Sequence, residues 1–159
     1  MILNVGCGNF PLGDVNCDLY IHDIGHRGGE TDILIVNKIK NFVLCDSQYL
    51  PFKDNCFELV YSRHVIEHII NPFLFLSELV RVSKDKIKII CPHRFGDKFY
   101  QLILRRKNKF HLHYFNLKWF EYYGNKLGCY VMAEYSKFIN VPFVNFLPNE
   151  IEIELIKVS

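Results

Sequence analysis

The sequence predicts an α/β domain in which a mostly parallel sheet is covered by helices on both faces. Two observations support this fold class. Short apolar segments typical of strands alternate with segments of helical periodicity. The last two predicted strands follow each other without a helix, which indicates an antiparallel pair at the C-terminal edge. The 159 residues suit one domain, which we expect to span residues 1–159.

Seven strands are predicted from short apolar runs along the chain. They cover residues 2–5, 15–20, 41–45, 57–62, 86–91, 130–137 and 150–158. In the last of these, Ile151, Ile153 and Leu155 alternate with glutamates, including Glu150. This period of two predicts that the isoleucines and the leucine are buried and that the glutamates face solvent.

Helix boundaries are predicted from capping residues between the strands. Asn71, which a proline follows, is typical of a helix N-cap. Asp97 and Asn116 predict the starts of two further helices, and Gly128 has the position of a glycine just beyond a helix C-terminus. A weaker helix is predicted over residues 31–38.

The composition is that of an ordinary globular chain, with 50% hydrophobic and 23% charged residues. A net charge of +2 argues against a chain devoted to nucleic-acid binding. There is no apolar run of the about 18 residues that a membrane span needs, and the N-terminus has no signal-peptide pattern. The six cysteines form no Cys-x-x-Cys pair, so we expect reduced thiols in a cytoplasmic protein.

Three polar or flexible segments are predicted at one edge of the sheet, because ligands bind outside the carboxyl ends of parallel strands. Gly6-Cys7-Gly8 follows the first strand, where glycines let a ligand approach the backbone. Pro11 replaces the third glycine of a dinucleotide fingerprint, so a pyrophosphate turn is disfavoured. Asp18 and Asp46 follow the next two strands. Asp18 suits the two hydroxyls of a ribose and Asp46 an exocyclic amine, or else each only forms a turn.

Six runs of residues near these strand ends carry a resemblance to a known family. The runs are Gly6-Cys7-Gly8, Asp46-Ser47-x-x-Leu50-Pro51-Phe52-x-Asp54-Asn55-x-Phe57-Glu58-Leu59-Val60, Ser62-x-His64-Val65-Ile66-Glu67-His68, Glu78-Leu79-x-Arg81-Val82, Cys91-Pro92 and His113-Tyr114-Phe115-Asn116. Their order and spacing resemble class I S-adenosylmethionine-dependent methyltransferases, nearest to the ubiquinone-biosynthesis-type branch. The resemblance implies a doubly wound, Rossmann-like sheet of seven strands.

The resemblance also implies S-adenosylmethionine as cofactor and a set of binding residues. Gly6 and Gly8 would face its methionine part, Asp18 its ribose, and Asp46 its adenine amine. The cofactor-binding residues expected on this basis are Asn4, Gly6, Cys7, Gly8, Asp18, Leu19, Asp46, Ser47 and Ser62.

The chain departs from the family pattern around the first strand. Asn4 stands where the family usually has an acidic residue, and Phe10 replaces a third glycine. Only nine residues separate Gly8 from Asp18, which is too few for the helix that normally joins the first two strands. We therefore expect a short loop at this connection.

The implied reaction is an in-line methyl transfer in which the protein mainly positions the two reactants. A general base is needed only where the acceptor carries a proton, and the candidates are His64, His93 and His113, with His64 first by position. The expected acceptor is a small molecule, with RNA or protein as alternatives. No membrane partner and no metal are expected, and the oligomeric state stays open.

Three alternatives use the same or neighbouring residues. His64-x-x-Glu67-His68 also fits the signature of inverted zinc peptidases, in which two histidines on one helix face bind zinc. The basic run Arg105-Arg106-Lys107-Asn108-Lys109 is typical of a solvated helix end, although it could contact a phosphate. A non-catalytic domain that binds S-adenosylmethionine on the same fold is the third alternative.

Overall fold

A computed structural model of the chain describes residues 1–21, 36–103, 105, 110–138 and 147–158. Seven strands form one sheet: β1 (Ile2–Val5), β2 (Val15–Asp18), β3 (Phe42–Leu44), β4 (Phe57–Arg63), β5 (Ser83–Pro92), β6 (Cys129–Phe138) and β7 (Pro148–Lys157). The helices around it are α1 (Pro72–Val82), α2 (Arg94–Ile103) and α3 (Leu117–Lys126), together with two 3₁₀ turns, Val36–Lys38 and Ile66–His68.

The strand order in the sheet is β3-β2-β1-β4-β5-β7-β6. Strands β1 to β5 are parallel to their neighbours, whereas β7 is antiparallel to both β5 and β6. The direction in which the chain adds strands reverses between β1 and β4, so this is the topological switch point where ligands bind in such sheets. The predicted parallel sheet with an antiparallel C-terminal edge pair is confirmed.

Buried apolar side chains from the sheet and from α1 and α3 form one core. Its largest fully buried members are Phe57, Phe75, Phe115, Phe120, Leu3, Ile66, Leu76, Leu79, Ile87, Ile89 and Ile151. The predicted caps of two helices are confirmed: Asn71 Oδ1 accepts from the Leu74 backbone N–H at 3.1 Å, and Asn116 Oδ1 accepts from Trp119 N–H at 3.1 Å. Gly128 has a φ of 73°, as expected for a residue just beyond a helix end.

Helix α2 begins four residues earlier than a cap at Asp97 predicts. Asp97 lies in its first turn and does not cap it, because the Asp97 backbone N–H already donates to the His93 carbonyl at 3.2 Å. The predicted helix over residues 31–38 falls mostly outside the described residues, which include its last part as a 3₁₀ turn. Of the basic run 105–109, only Arg105 is described, and it is exposed.

The connection between β1 and β2 contains turns and no helix, as the short spacing predicts. Among the helices that the structure describes, none has the length and apolar character that crossing a membrane requires.

Candidate active site

The carboxyl ends of the five parallel strands lie side by side at one edge of the sheet. Along this edge the strand ends follow the order β3, β2, β1, β4 and β5, and Val5 at the end of β1 pairs with Ser62 of β4. The sheet therefore places the segments that begin at Gly6, Asp18 and Asp46 next to one another. It places the segment with Ser62 and His64 across the switch point from Gly6.

A tight turn after β1 is fixed by hydrogen bonds to β2. The backbone N–H groups of Gly6 and Cys7 both donate to the Cys17 carbonyl, at 2.8 and 3.0 Å. Gly6 and Gly8 have φ values of 69° and 50°, which glycine adopts without steric cost. A Cβ on Gly6 would lie 2.2 Å from Val65 Cγ2, so this position also needs glycine for packing.

Asp18 closes the turn from the end of β2. Its Oδ2 accepts from the Gly8 backbone N–H at 2.9 Å, and its Oδ1 accepts from Tyr20 N–H at 3.2 Å. An ionised carboxylate has about four acceptor positions, and the hydroxyl groups of a ribose are donors of the kind that it accepts. This geometry fits the role in ribose binding that the family implies.

Asp46 is held at the same edge through the backbone. The Cys45 N–H donates to the Asp18 carbonyl at 3.0 Å, which joins the segment of Asp46 to that of Asp18. Asp46 Oδ1 accepts from the Gln48 backbone N–H at 2.8 Å. The two carboxylates thus occupy neighbouring strand ends, as the sequence predicts.

The segment after Asp46 is anchored on α1 by an arginine and a glutamate. Glu78 Oε2 accepts from the Leu50 N–H at 2.8 Å, and Arg81 donates to the carbonyls of Leu50 and Phe52 at 2.9 and 2.8 Å. Arg81 Nε also donates to Glu78 Oε1 at 2.6 Å. This hydrogen bond with Arg81 lowers the pKa of Glu78 below its ordinary value.

The other residues predicted to bind the cofactor differ in how far their side chains are buried. Asn4 is buried, and its Nδ2 donates to the Phe10 carbonyl at 3.0 Å, so its side chain holds the loop after β1. Cys7 is buried beside Ile39, whereas Leu19 is exposed and Ser47 is half-buried.

Ser62 at the end of β4 is a buried polar residue. It is 1% exposed, and within the described residues its Oγ has no hydrogen-bond partner. A buried hydroxyl without a partner is costly, and such groups recur at binding sites. Its position across from Gly6 fits the cofactor-binding role predicted for it.

Two thiols near the carboxylates were not singled out from the sequence. Cys17 is buried at the end of β2, and its hydrogen bond with Cys45, together with burial, raises the pKa of the Cys17 thiol. Only the pairing of β2 with β3 brings the two cysteines together, so no local signal in the sequence could have identified them.

His64 lies just beyond β4 and contacts two carboxylates. Its Nε2 lies 2.7 Å from Glu150 Oε1, and its Nδ1 lies 3.3 Å from Glu67 Oε1. Its side chain is 40% exposed, and its φ of 54° places it in the left-handed region. A neutral imidazole has a single N–H, so it can donate to only one of these carboxylates at a time.

The sequence did not predict the contact of His64 with Glu150. The alternation in β7 predicts an exposed Glu150, but this residue is buried. It pairs with Pro92 at the carboxyl end of β5, so it lies beside the segment after β4 and not on the open face of the sheet. Ser136 Oγ also donates to its Oε2 at 3.2 Å.

His93 and His113 are held differently from His64. His93 is buried; its Nδ1 accepts from the Phe95 N–H at 3.3 Å, and its ring also hydrogen-bonds to the Pro148 carbonyl. Burial lowers the pKa of His93, and the charge of Arg94 adds to this effect. His113 is half-buried, with Nε2 3.4 Å from the Ile70 carbonyl.

The zinc-peptidase alternative needs His64 and His68 on one face of a helix, and this requirement is not met. The helical turn is a single 3₁₀ turn, Ile66–His68, which begins after His64. The group of described residues whose donor atoms lie within 4.8 Å of one another is instead Glu67, His68 and His111. The peptidase signature is therefore not supported over the methyltransferase interpretation.

Comparison with known proteins identifies the family. A family model described as "Methyltransferase domain" matches residues 3–91, which is more than half of the chain. The chain belongs to this methyltransferase family, and the sequence resemblance to class I S-adenosylmethionine-dependent methyltransferases is confirmed. S-adenosylmethionine, the cofactor predicted from the sequence, is the cofactor of this class. The narrower ubiquinone-type branch stays a prediction.

Solved structures with the same fold include a methyltransferase from Thermotoga maritima, described as a possible histamine N-methyltransferase. It is 12% identical, with a TM-score of 0.69, and the match covers 99% of this chain and 82% of that chain. Phosphoethanolamine N-methyltransferase 2 of Haemonchus contortus, solved with S-adenosylmethionine, is 16% identical with a TM-score of 0.67 over 99% of this chain and 48% of its own.

A curated relative is an uncharacterised protein of Methanocaldococcus jannaschii. It is 34% identical over 94 residues, which make up 57% of this chain. The match spans only 39% of the length of that relative.

Proposed function

We propose that this chain is an enzyme that transfers the methyl group of S-adenosylmethionine to a small-molecule acceptor. The single observation that carries the proposal is the arrangement at the sheet edge. The turn Gly6–Gly8, Asp18 and Asp46 lie on neighbouring strand ends, beside the topological switch point. The small-molecule acceptor is supported by the two solved neighbours whose descriptions name small amines, histamine and phosphoethanolamine.

The cofactor site that we propose uses the chain's own hydrogen-bonding groups. Asp18 would accept from the ribose hydroxyls, Asp46 from the adenine amine, and the glycine turn would hold the methionine part. Ser62 would offer its unpartnered hydroxyl from across the switch point. The cofactor supplies an electrophilic methyl group on a sulfonium, and the protein holds the acceptor in line with it and excludes water.

His64 is the general base that we propose for an acceptor that carries a proton. It lies beside the switch point, and Glu67 and Glu150 orient its ring from two sides. Glu67 would hold the ring through Nδ1, and Nε2 would take up the acceptor's proton once the acceptor replaces Glu150 beside it. His93 is less suited, because its hydrogen bonds are made within the fold and burial disfavours its protonated form.

Two other parts of the proposal rest on different observations. The six cysteines, all of which are described, form no disulfides, which supports a cytoplasmic location.

A Haloferax volcanii methyltransferase with this fold was solved in a complex with the activator Trm112, so a protein partner stays an alternative to a small molecule alone.

Calorimetric titration with S-adenosylmethionine tests the site. Asp18→Ala should weaken binding more than tenfold, or about 1.4 kcal/mol. The matched control is Asp85→Ala, an exposed aspartate near the start of β5, which should bind like the wild type. Wild-type affinity of Asp18→Ala would remove Asp18 from the site.

Transfer of labelled methyl groups to fractionated extracts tests the reaction itself. We expect the label in the small-molecule fraction. Label in RNA or in protein would overturn the proposed acceptor class. Tight cofactor binding with no transfer to any fraction would establish the non-catalytic alternative.

A further inference from the structure

A cluster of a glutamate and two histidines lies next to His64, on the side away from Glu150. Glu67 and His68 come from the 3₁₀ turn after β4, and His111 comes from the segment that follows α2. One donor atom of each residue lies within 4.8 Å of the other two. Donors bound to one zinc ion at about 2.0–2.1 Å lie roughly 3.4 Å apart, so small side-chain rotations bring all three to a common ion.

Both histidines are held in the tautomer that a metal ligand needs. His68 Nδ1 lies 2.9 Å from the Phe110 carbonyl oxygen, which can only accept, so Nδ1 carries the proton and Nε2 presents a lone pair. His111 Nδ1 lies 3.1 Å from both carboxylate oxygens of Asp97, which fixes that ring in the same way. A carbonyl and a carboxylate are the partners that typically orient metal-binding histidines.

Glu67 is the least satisfied member of the cluster. It is 1% exposed; its Oε1 lies 3.3 Å from His64 Nδ1 and 3.8 Å from His68 Nε2, and within the described residues its Oε2 has no hydrogen-bond partner. Burying a carboxylate oxygen without a donor is expensive, and a cation beside it would remove that cost. Asp97 brings a second carboxylate to the cluster through His111, which adds to the negative charge there.

We propose that Glu67, His68 and His111 form a binding site for a divalent transition-metal ion. Two imidazole nitrogens and one carboxylate oxygen suit zinc and its first-row neighbours, and they leave a coordination position for water. The site differs from the peptidase signature, because His64 lies outside it and His111 completes it.

The metal would join two segments that are distant in sequence. The residue after His111 is already linked to Glu67, because the Leu112 N–H donates to the Glu67 carbonyl at 2.8 Å. An ion bound by both side chains would add a second connection at the same place. Because Glu67 also contacts His64, the ion would help fix the orientation of the proposed base.

The test is metal binding by the intact chain, without any methyl-transfer assay. After treatment with a chelator, titration with ZnCl₂ should show one equivalent bound with a Kd below about 1 μM. Cobalt(II) in place of zinc should give a visible spectrum without the charge-transfer band of thiolate ligation, which excludes binding by the cysteines.

Three variants assign the ion to this cluster. His111→Ala, which removes a ligand, should weaken zinc binding at least about 100-fold. Asp97→Asn keeps all three ligands. It should weaken zinc binding about tenfold, because it changes the carboxylate that orients the ligand His111. The matched control is His113→Ala, a neighbouring histidine outside the cluster, which should bind zinc like the wild type.

Failure of the wild-type chain to bind zinc at low micromolar concentration would overturn the proposal, whether or not the variants fold. Unchanged affinity in a folded His111→Ala protein would also overturn it. Neither result bears on cofactor binding at Asp18, so this test and that of the proposed function fail independently.

Discussion

The two halves of the sheet differ in the length of their strands and in the residues that follow the strand ends. In the first half, β1, β2 and β3 have four, four and three residues, and their carboxyl ends lead directly into the glycine turn, Asp18 and Asp46. In the second half, β5, β6 and β7 have ten residues each and pair over most of their length. The candidate site is thus built mainly on the half with the shortest strands.

This difference separates the residues that bind from the residues that stabilise. The long strands β5 and β7 bury alternate apolar side chains, Ile87, Ile89, Ile151, Ile153 and Leu155, and the burial of this apolar area stabilises the fold. The short strands bury fewer apolar side chains, Leu3, Val5 and Cys17, and their ends carry backbone N–H groups and carboxylates that can hold a ligand. Binding elements are commonly drawn from such less stable parts of a structure that a rigid remainder supports.

The largest expected loss of stability comes from a substitution in the second half of the sheet. Ile153 is 0% exposed on β7 and pairs with Ile89 on one side and Ala133 on the other. Ile153→Ala should lower the free energy of unfolding by about 2–5 kcal/mol, because it removes buried methyl groups and leaves a cavity. Chemical denaturation followed by circular dichroism measures this change.

The matched control lies three residues further along the same strand. Ile156 is 37% exposed on the opposite face, and Ile156→Ala should cost less than about 1 kcal/mol. Equal effects of the two substitutions would contradict the assignment of Ile153, and not Ile156, to the buried core.

A smaller loss of stability is expected from a substitution at Arg81 of α1, which anchors the segment after β3. Arg81 donates to Glu78, to Asp54 and to the carbonyls of Leu50 and Phe52. Arg81→Ala should lower the free energy of unfolding by about 2 kcal/mol, since charged hydrogen bonds are lost and acceptors are left without donors. Arg63→Ala, which removes one 3.8 Å contact with Glu150, should cost less than about 1 kcal/mol in the same denaturation experiment.

The contribution of Arg81 should also depend on pH. The pKa of Glu78 is lowered in the folded state, whereas an unfolded glutamate titrates near its ordinary value of about 4.3. The stabilisation is therefore fully present at neutral pH and is lost as the pH falls below that value and through the lowered pKa. A stability difference between wild type and Arg81→Ala that is unchanged at about pH 3 would contradict this account.

Much of the fold could be predicted from the sequence because its signals are local. The Asn71 and Asn116 caps lie next to the helices that they start, and each predicted strand overlaps an observed one. The sheet edge with Asp18 and Asp46 followed from parallel pairing, which places successive carboxyl ends together. The prediction for Asp97 was wrong because the hydrogen bonding of α2 begins earlier, at His93.

The contacts around His64 could not be predicted, because they join residues far apart in the chain. Glu150 has the periodicity of an exposed strand residue, and only its register opposite Pro92 shows that it is buried beside His64. His68 meets Phe110 across 42 positions of sequence. Periodicity describes which face of a strand a residue occupies, but it does not show which distant segment covers that face.

The smallest of the expected effects on stability concerns His93, which directly follows β5 in the second half. Its pKa is lowered in the folded state, chiefly by burial. Above about pH 6.5 the histidine is neutral in both folded and unfolded chains, and it adds no pH dependence. As the pH falls below that value, the unfolded chain takes up the proton more readily, so the free energy of unfolding decreases until the pH lies below the lowered pKa.

His93→Gln removes this proton uptake while keeping a polar side chain of similar size. The variant should lose less stability than the wild type between about pH 7.5 and pH 5, as measured by denaturation at each pH. His111 acts in the opposite direction: burial would lower its pKa, but the hydrogen bond and charge of Asp97 raise it. Its stabilisation is therefore present below pH 6.5 and lost as the pH rises through the raised pKa. An equal loss of stability in His93→Gln and wild type would show that the buried imidazole of His93 does not make the fold sensitive to acid.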